Sequence, residues 1–435
     1  MEESKNLKHW KQKRSIFRWV ASATMGLYGM EDLTSVVILF FLMERHHLSH
    51  KDAVFYYSLT EMIFCAVQAG GSLILGRFAD STRNIRLILM LNLVICCACN
   101  LLYTLPLPLW IVLGARGFMG ITESLQPTIV GEIRRVYDTS NEELINALTW
   151  IYISNTFGRN LGAIVIFSFT KVSFNIGDWV IDRLIAGNLF ISIFAFILLI
   201  LTYFKISNVS KELDEIKLTH HQTPKEASKP TTNKSLMKWT DLFNKDILSI
   251  IISFGLIRFM ALVYISNTTT LTATKYGWNS SYVFILFFST NAIFSFLAFG
   301  LIQSKILENQ DRSFYIYVLA ICSSAIVLIS FMLTKTDLLD TFAKQIIFFT
   351  IMKFVKFYGI YLGNVCSSFL LLGLVNSKDS SFISGVNSFF SVIMKGTAYI
   401  ISFEASFYPE YFYPPAIIVL LTLAQFMLCR SGIYV

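Results

Sequence analysis

The sequence predicts an all-α polytopic membrane protein with twelve transmembrane helices in two pseudo-symmetric six-helix bundles. Three observations predict this fold class. Of the 435 residues, 54% are hydrophobic and only 15% are charged, whereas an average soluble protein has about 25% charged residues. Apolar runs recur along the chain at the length of about 20 residues that crosses a bilayer. One long polar break separates these runs into an N-terminal and a C-terminal set.

The apolar runs follow one another with short polar connections. Their approximate bounds are 17–42, 54–76, 86–105, 109–132, 145–170, 185–206, 247–270, 281–302, 314–334, 344–373, 380–406 and 411–429. Runs of this length are typical of membrane spans rather than of buried helices in soluble proteins. A soluble multidomain protein is therefore excluded.

The polar break at 207–246 is rich in lysine and contains proline. This composition is typical of a flexible linker. We therefore predict an N-terminal six-helix bundle at 1–206, a cytoplasmic linker at 207–246 and a C-terminal six-helix bundle at 247–435.

The distribution of basic residues predicts the orientation in the membrane. With the N-terminus inside, 23 Lys and Arg residues fall in cytoplasmic segments and 7 in the opposite loops. Because basic loops stay cytoplasmic, both termini are expected there. The first seventeen residues are polar and basic and lack the apolar core of a cleavable signal peptide. Both the lysosomal and the plasma membrane fit this pattern.

Several other classes of protein are not expected. The net charge of +8 is spread over loops, without the single basic face that nucleic-acid binding requires. No paired histidines, nucleophile elbow or metal-ligand spacing lies at a membrane boundary, so we expect neither an enzyme nor a cofactor or metal site. The expected partners are a small-molecule substrate, protons and the lipid bilayer, and the expected state is a monomer.

Charged residues within the spans are the main functional signal, since each costs about 3 kcal/mol at the bilayer centre unless it is paired or hydrated. Spans one, four, seven and ten carry most of them, whereas spans three, six, nine and twelve carry none apart from Arg86 and Lys205 at their ends, which are counted with the cytoplasmic segments. This period of three predicts that one class of helix lines an aqueous cavity. For any single residue a structural ion pair is the alternative, and for Arg159 it is the favoured interpretation.

The two halves differ in the sign of these charges. Cations of the second half suit an anionic or carboxylate-bearing solute, and a desolvated carboxyl group of the first half can take up a proton. The candidate substrate-binding residues are Arg116, Arg258, Lys353, Lys356, Lys395 and Asn364. The candidate proton-coupling residues are Glu31, Asp32, Glu61 and Glu123.

The segment GRFADSTRNIR, which begins at Gly76, resembles the signature G-x-L-A-D-R-x-G-R-R of the major facilitator superfamily. Gly76, Ala79 and Asp80 match it, whereas Ser81 replaces the arginine and Arg83 the second glycine. The resemblance implies a cytoplasmic gate latch, and an ordinary basic loop is the alternative. The implied gating residues are Gly76, Asp80, Arg83 and Arg86.

Two further motifs and the order of segments support the same resemblance. The residues from Arg116 to Gly120 are similar to the R-x-x-x-G motif of the family's fourth span. The residues from Gly158 to Gly162 are similar in placement to the antiporter motif G-P-x-x-G-G, but Arg159 replaces its proline. The order of segments resembles the lysosomal ceroid-lipofuscinosis branch. The resemblance implies the major facilitator fold and alternating access.

Three functional hypotheses follow. The first is a secondary transporter of a small anionic or zwitterionic organic solute, with alternating access and proton coupling. The second is an anion channel in the same scaffold. The third is a non-transporting membrane scaffold.

A histidine cluster lies in the first loop on the predicted non-cytoplasmic side. His46, His47 and His50 would change charge in an acidic lumen. A solvated loop without such a role is the alternative.

Overall fold

The structure is a computed structural model. It describes residues 2–137, 141–169, 173–176, 179–182, 184–220, 244–274, 276–278, 309–334, 339–407 and 409–430, together with positions 242, 293, 297 and 300.

The chain divides into two compact units. The first contains Met1–Asn244 and Val375–Ser388, and the second contains Lys245–Leu374 and Phe389–Val435. The unit boundaries differ from the predicted bundles, because the short segment Val375–Ser388 belongs to the first unit.

Long apolar helices form most of the first unit. They are α1 (Glu2–Glu44), α2 (His50–Thr82), α3 (Ile85–Thr104), α7 (Asn141–Ser168) and α8 (Ala186–Lys205). Three shorter helices, α4 to α6, form the fourth predicted span and are described below. Within this unit α1 packs on α7, and α3 packs on α8. At the α1–α7 contact, a Cβ added to Gly158 would collide with the carbonyl oxygen of Gly26, and one added to Gly162 would lie 2.8 Å from the carbonyl oxygen of Met30. Glycine is required here because the two backbones touch.

The fourth predicted span is interrupted twice. It consists of α4 (Leu109–Phe118), α5 (Gly120–Glu123) and α6 (Leu125–Val136). Pro127 offers no N–H to the carbonyl of Glu123, four residues earlier, and its ring crowds that carbonyl. The predicted fourth span, 109–132, is one continuous run that contains both Arg116 and Glu123. In the structure the turn at Met119 separates these two residues, and a second turn at Ser124 follows Glu123.

A short hairpin precedes α8 and is absent from the sequence-based prediction. Strands β1 (Phe174–Ile176) and β2 (Trp179–Ile181) pair antiparallel. The indole Nε1 of Trp179 donates to the carbonyl of Thr104 at 2.7 Å, and Arg45 donates to the carbonyl of Val180 at 3.0 Å. The hairpin thereby covers an apolar cluster that contains Tyr103.

The first part of the predicted linker is helical. Helix α9 (Val209–His220) packs against the N-terminal part of α1. The indole of Trp10 donates to the carbonyl of Val209 at 3.1 Å, and Lys13 forms a 3.0 Å ion pair with Glu212. The remainder of the predicted linker lies largely outside the described residues.

The second unit is also built from apolar helices. They are α10 (Lys245–Thr274), α11 (Gln310–Leu333), α12 (Phe342–Gly373) and α14 (Pro409–Arg430), with α13 (Ser380–Phe407) running from the first unit into the second. Tyr317 and Ser253 share a 2.7 Å hydrogen bond that joins α11 to α10. Tyr264 donates to the carbonyl of Phe349 at 3.3 Å, which joins α10 to α12. The predicted span 281–302 lies almost wholly outside the described residues.

Within the described chain, six helices are long and apolar enough to cross a membrane. They include α3, most of α2, α8 and α10 to α12. Many of their large apolar side chains point outward, for example Ile74 and Phe204. Such an exposed apolar surface is suited to lipid rather than to water.

Candidate functional site

A buried ion cluster lies within the first unit, where α1, α2 and α4 meet. The guanidinium of Arg116 donates to Glu31 Oε1 at 3.1 Å through Nη1. Its Nη2 and Nε donate to Glu61 Oε1 at 3.2 and 3.3 Å. All three side chains are less than a tenth exposed. We call Arg116, Glu31 and Glu61 the ion cluster; it unites one predicted substrate-binding residue with two predicted proton-coupling residues.

Glycines of the R-G-F-M-G segment bring the members of the ion cluster together. A Cβ on Gly117 would lie 2.7 Å from the side chain of Ile63, and a Cβ on Gly120 would collide with the carbonyl oxygen of Phe64. These glycines therefore let α4 and α5 sit directly on α2. The guanidinium of Arg116 also lies over the Phe64 ring, 4.5 Å from its centroid. This close contact places Arg116 beside Glu61.

The charges of the ion cluster do not balance. Two carboxylates face one guanidinium, so the fully ionised cluster carries one net negative charge. A single proton would neutralise it. Unbalanced charge in a low-dielectric interior is costly.

Polar side chains surround Glu31. The hydroxyl of Thr122 donates to Glu31 Oε2 at 3.4 Å, and the thiol of Cys96 lies 3.9 Å from the same oxygen. Asn92 accepts from the hydroxyl of Tyr28 at 2.5 Å and donates to the carbonyl of Ile121 at 3.1 Å. These partners are not among the predicted site residues, because those residues were selected mainly for their charge and these side chains are uncharged. The signal that reveals them is the helical spacing of Asn92, Cys96 and Asn100 on α3.

The other candidate proton-coupling residues, Glu123 and Asp32, are not members of the ion cluster. Glu123 is half-buried on α5, one helical segment beyond Arg116. The side chain of Asp32 lies outside the described residues. Arg159 is half-buried on α7 beside the close α1–α7 contact, and the structural ion pair favoured for it stays a prediction.

The predicted cations of the second unit lie mainly on α10 and α12. Lys353 is only 3% exposed, and the ammonium of Lys356 lies 4.9 Å from the Tyr264 ring centroid. Arg258 lies over Phe254, at 5.4 Å from the ring. On α12, Asn364 is buried, and its side-chain oxygen accepts no hydrogen bond within the described chain. Lys395 is half-buried on α13.

A second polar cluster surrounds Asp80 at the end of α2. Its carboxylate accepts the backbone N–H groups of Ser381 and Phe382 at 3.2 and 2.7 Å, and it pairs with Arg135. Arg135 also donates to the carbonyl of Ser377 at 3.0 Å. An anion at the start of α13 is favoured by the helix dipole and the open N–H groups. We call Asp80, Arg135 and the segment 377–382 the latch cluster.

Two of the predicted gating residues support the latch cluster, and one lies elsewhere. A Cβ on Gly76 would lie 2.6 Å from the carbonyl oxygen of Ser381, so Gly76 permits the close contact. Arg83 donates to the carbonyl of Lys378 at 3.4 Å. Arg86 instead donates to the carbonyl of Tyr203, at the end of α8.

The main cation of the latch cluster was missed. Sequence reasoning counted Arg135 only as a basic residue of an inside loop. In the structure it is buried and also forms a 3.1 Å ion pair with Glu132. The i, i+3 spacing of Glu132 and Arg135 is the signal that marks it.

Comparisons with known proteins agree with this architecture. The family model described as Major Facilitator Superfamily matches residues 20–398. Curated proteins give no match to the sequence.

Three solved structures share the fold over 97% of this chain. The proton:xylose symporter XylE, bound to 6-bromo-6-deoxy-D-glucose, has a TM-score of 0.68, 14% identity and 96% of its own chain covered. The human organic anion transporter MFSD10 (TETRAN) has a TM-score of 0.62 at 12% identity, with 99% covered. A bacterial homologue of the iron transporter ferroportin, in an outward-facing state, has a TM-score of 0.60 at 13% identity, also with 99% covered. The predicted fold class is therefore confirmed.

Proposed function

This chain belongs to the major facilitator superfamily, and from that premise we propose that it is a secondary active transporter of a small anionic or zwitterionic organic solute. It works by alternating access and couples solute movement to protons. The observation that carries the proposal is the position of Arg116 between Glu31 and Glu61 in the interior of the first unit. An anion channel in the same scaffold and a non-transporting scaffold are the alternatives.

The ion cluster supports proton coupling. When one carboxyl group is protonated, Arg116 keeps a single charged partner, and when both are ionised it is shared between two. These two states differ in charge and in hydrogen bonding, so each favours a different arrangement of the helices that carry the residues. Asp32 and Glu123 are proposed to act with the cluster, since Asp32 follows Glu31 on α1 and Glu123 lies on α5, the segment after the one that carries Arg116.

The cations of the second unit support an anionic substrate. Lys353 is buried on α12, and a nearby anion stabilises a buried ammonium group. Lys356 lies one turn further along α12, so both ammonium groups occupy one side of that helix. The unsatisfied oxygen of Asn364 on the same helix can accept a hydrogen bond from a solute. Arg258 and Lys395 are proposed to complete the set.

The names of two structural neighbours are consistent with this proposal. One is a proton-coupled sugar symporter and another is an organic anion transporter. At 12–14% identity they share only the fold with this chain. The proposed substrate class therefore rests on the charges of the second unit.

The latch cluster supports a gating role for Asp80, with Arg83 and Gly76 beside it. Its contacts hold the first residues of α13 against α2 and α6 in this conformation. We assign it to the cytoplasmic face, in line with the excess of basic residues on that side. In the transport cycle these hydrogen bonds break and form again.

Uptake by the full chain in proteoliposomes tests the proposal. The probes are mono- and dicarboxylates and amino acids, each offered with and without an inward proton gradient. We expect saturable uptake of one of these solutes that increases with the gradient and is lost in Lys353→Gln. Lys344→Gln is the matched control, because Lys344 is exposed and pairs with Asp340 at the start of the same helix.

Two outcomes would contradict the proposal and favour one of its alternatives. A linear conductance that persists without any proton gradient would indicate the anion channel. An absence of flux for every probe, together with normal folding, would indicate the scaffold.

A further inference from the structure

A small cavity lies inside the first unit, next to the ion cluster. Its walls come from α1, α3, α4 and α8 and from the turn that follows α4, and they include Cys99, Asn100, Tyr103, Arg116, Met119 and Asn188. The space open to the centre of a water molecule is about 10 Å³. A volume of this size holds about one water molecule and excludes an organic solute.

One wall of the cavity carries an unsatisfied hydrogen-bonding group. The hydroxyl of Tyr103 is buried, with the residue 4% exposed, and it has no hydrogen-bond partner within the described chain. Its ring packs on Phe41 with centroids 4.7 Å apart. Burying a hydroxyl without a partner costs about 1–3 kcal/mol. An occupant that bonds to Tyr103 would remove this cost.

The charges around the cavity decide what the occupant is. An anion is disfavoured, because Arg116 already faces Glu31 and Glu61 and the ion cluster is net negative. A cation is disfavoured, because the described residues that line the cavity include Arg116 and no carboxylate. A neutral water suits the site, since it can bond to Tyr103, to a guanidinium N–H of Arg116 and to the amides of Asn100 and Asn188. Two to four polar partners are typical of buried water.

We propose that this cavity is an internal hydration site, in which one ordered water bridges the hydroxyl of Tyr103 and the guanidinium of Arg116. The site solvates Arg116 from the α3 and α8 side, whereas the carboxylates contact it from α1 and α2. When Arg116 loses one carboxylate partner, the water keeps its remaining donors satisfied. The site is a property of the folded first unit and does not depend on the substrate or on proton coupling.

X-ray hydroxyl-radical footprinting of the purified full chain tests this site. Radicals formed from a bound water oxidise side chains beside it, even when bulk solvent does not reach them. Met119 lines the cavity and is 3% exposed, and Met25 on α1 is 1% exposed and is absent from the cavity lining. We expect Met119 to be oxidised faster than Met25. Equal rates for the two methionines would overturn the proposal.

Two variants sharpen the result. In Asn188→Leu the larger apolar side chain fills the cavity, so oxidation of Met119 is expected to fall to the rate of Met25. Tyr103→Phe keeps the ring and removes one partner of the water, so it is expected to lower the rate even if Asn188→Leu does not fold. Tyr152→Phe, at a buried tyrosine of α7 outside the cavity lining, is the matched control and should leave the rate unchanged. If the rate is unchanged in Tyr103→Phe as well, the water does not bond to Tyr103 and the proposal fails.

Discussion

The carboxylate of Asp80 accepts the backbone N–H of Phe382 at 2.7 Å, although the two residues are 302 positions apart in the chain. This hydrogen bond joins the end of α2 to the first turn of α13. Arg135 provides the compensating positive charge, and Gly76 provides the room for the contact. The latch cluster therefore depends on one buried carboxylate.

Asp80→Asn is expected to destabilise the protein by about 3 kcal/mol. Arg135 would lose a buried ionic partner, and the N-terminus of α13 would lose the anion that its dipole favours. The measurement is thermal unfolding of the purified protein. Asp311→Asn, at an exposed position in the first turn of α11, is the control and should change little. An unchanged unfolding temperature in Asp80→Asn would argue against the latch cluster.

Arg83→Gly is expected to stabilise the protein by about 1 kcal/mol. Arg83 ends α2 with φ 55°, in the left-handed region where a residue with a Cβ is strained. Its side chain donates only a long hydrogen bond of 3.4 Å to Lys378. Arg83→Ala separates the two effects, since it removes that hydrogen bond and keeps the strain. Chemical denaturation should therefore give a higher free energy of unfolding for Arg83→Gly than for Arg83→Ala.

Gly158→Ala is expected to destabilise the first unit by about 1–3 kcal/mol or more, because the added methyl group collides with the backbone of Gly26. Gly114→Ala is the matched control on a helix with open space around the glycine. There the same change is expected to stabilise by about 0.5–1 kcal/mol through helix propensity. Melting curves of the two variants should shift in opposite directions.

Neutralising the carboxylates of the ion cluster is expected to be non-additive. Glu31→Gln or Glu61→Gln alone leaves a balanced pair, so each should cost little. The double variant leaves Arg116 without an ionic partner in the cluster, which costs about 3–5 kcal/mol for a buried charge. A double-mutant cycle on unfolding free energy measures this coupling. Strictly additive losses would contradict the description of Arg116 as shared between the two acids.

His46 is expected to make the fold less stable as the pH falls. Partial burial, followed by the neighbouring charges of Arg45 and His47, lowers the pKa of His46 below its ordinary value. The unfolded chain therefore takes up this proton at a higher pH than the folded chain, and stability is lost as the pH falls from the unfolded pKa through the folded one. His46→Gln should flatten the change in unfolding temperature between about pH 7 and pH 5. An equal slope in variant and wild type would contradict this assignment.

The spacing of apolar runs was sufficient to predict the helical membrane fold, because the length of a span is set by the bilayer and by the rise of the helix. The motif residues Gly76 and Asp80 could be selected as candidates for a similar reason, since they lie in one short continuous segment. Arg135 was missed because its partners lie far away in the sequence. The hairpin at Phe174–Ile181 was missed because its strands are only three residues long.

The charge pattern identified Glu31, Glu61 and Arg116 as candidates, but it assigned them to separate roles. Only the packing of α1, α2 and α4 joins them in one ion cluster, because these contacts form between side chains of different helices. Helical spacing on one segment cannot show this. The break at Met119 likewise places Arg116 and Glu123 on separate helical segments, whereas the predicted span had placed them on one helix.

By itself, the sequence determined what the bilayer selects: apolar segments of sufficient length, a polar break between two sets of helices and a few charges that the membrane tolerates only with compensation. The tertiary structure decided which charges compensate one another and which glycines let the backbones touch. It also decided that Tyr103, whose hydroxyl has no hydrogen-bond partner within the described chain, lines a water-sized cavity beside Arg116. The physical reason is that insertion into a membrane depends on the composition of each segment, whereas ion pairing and hydration depend on distances of a few ångströms between helices.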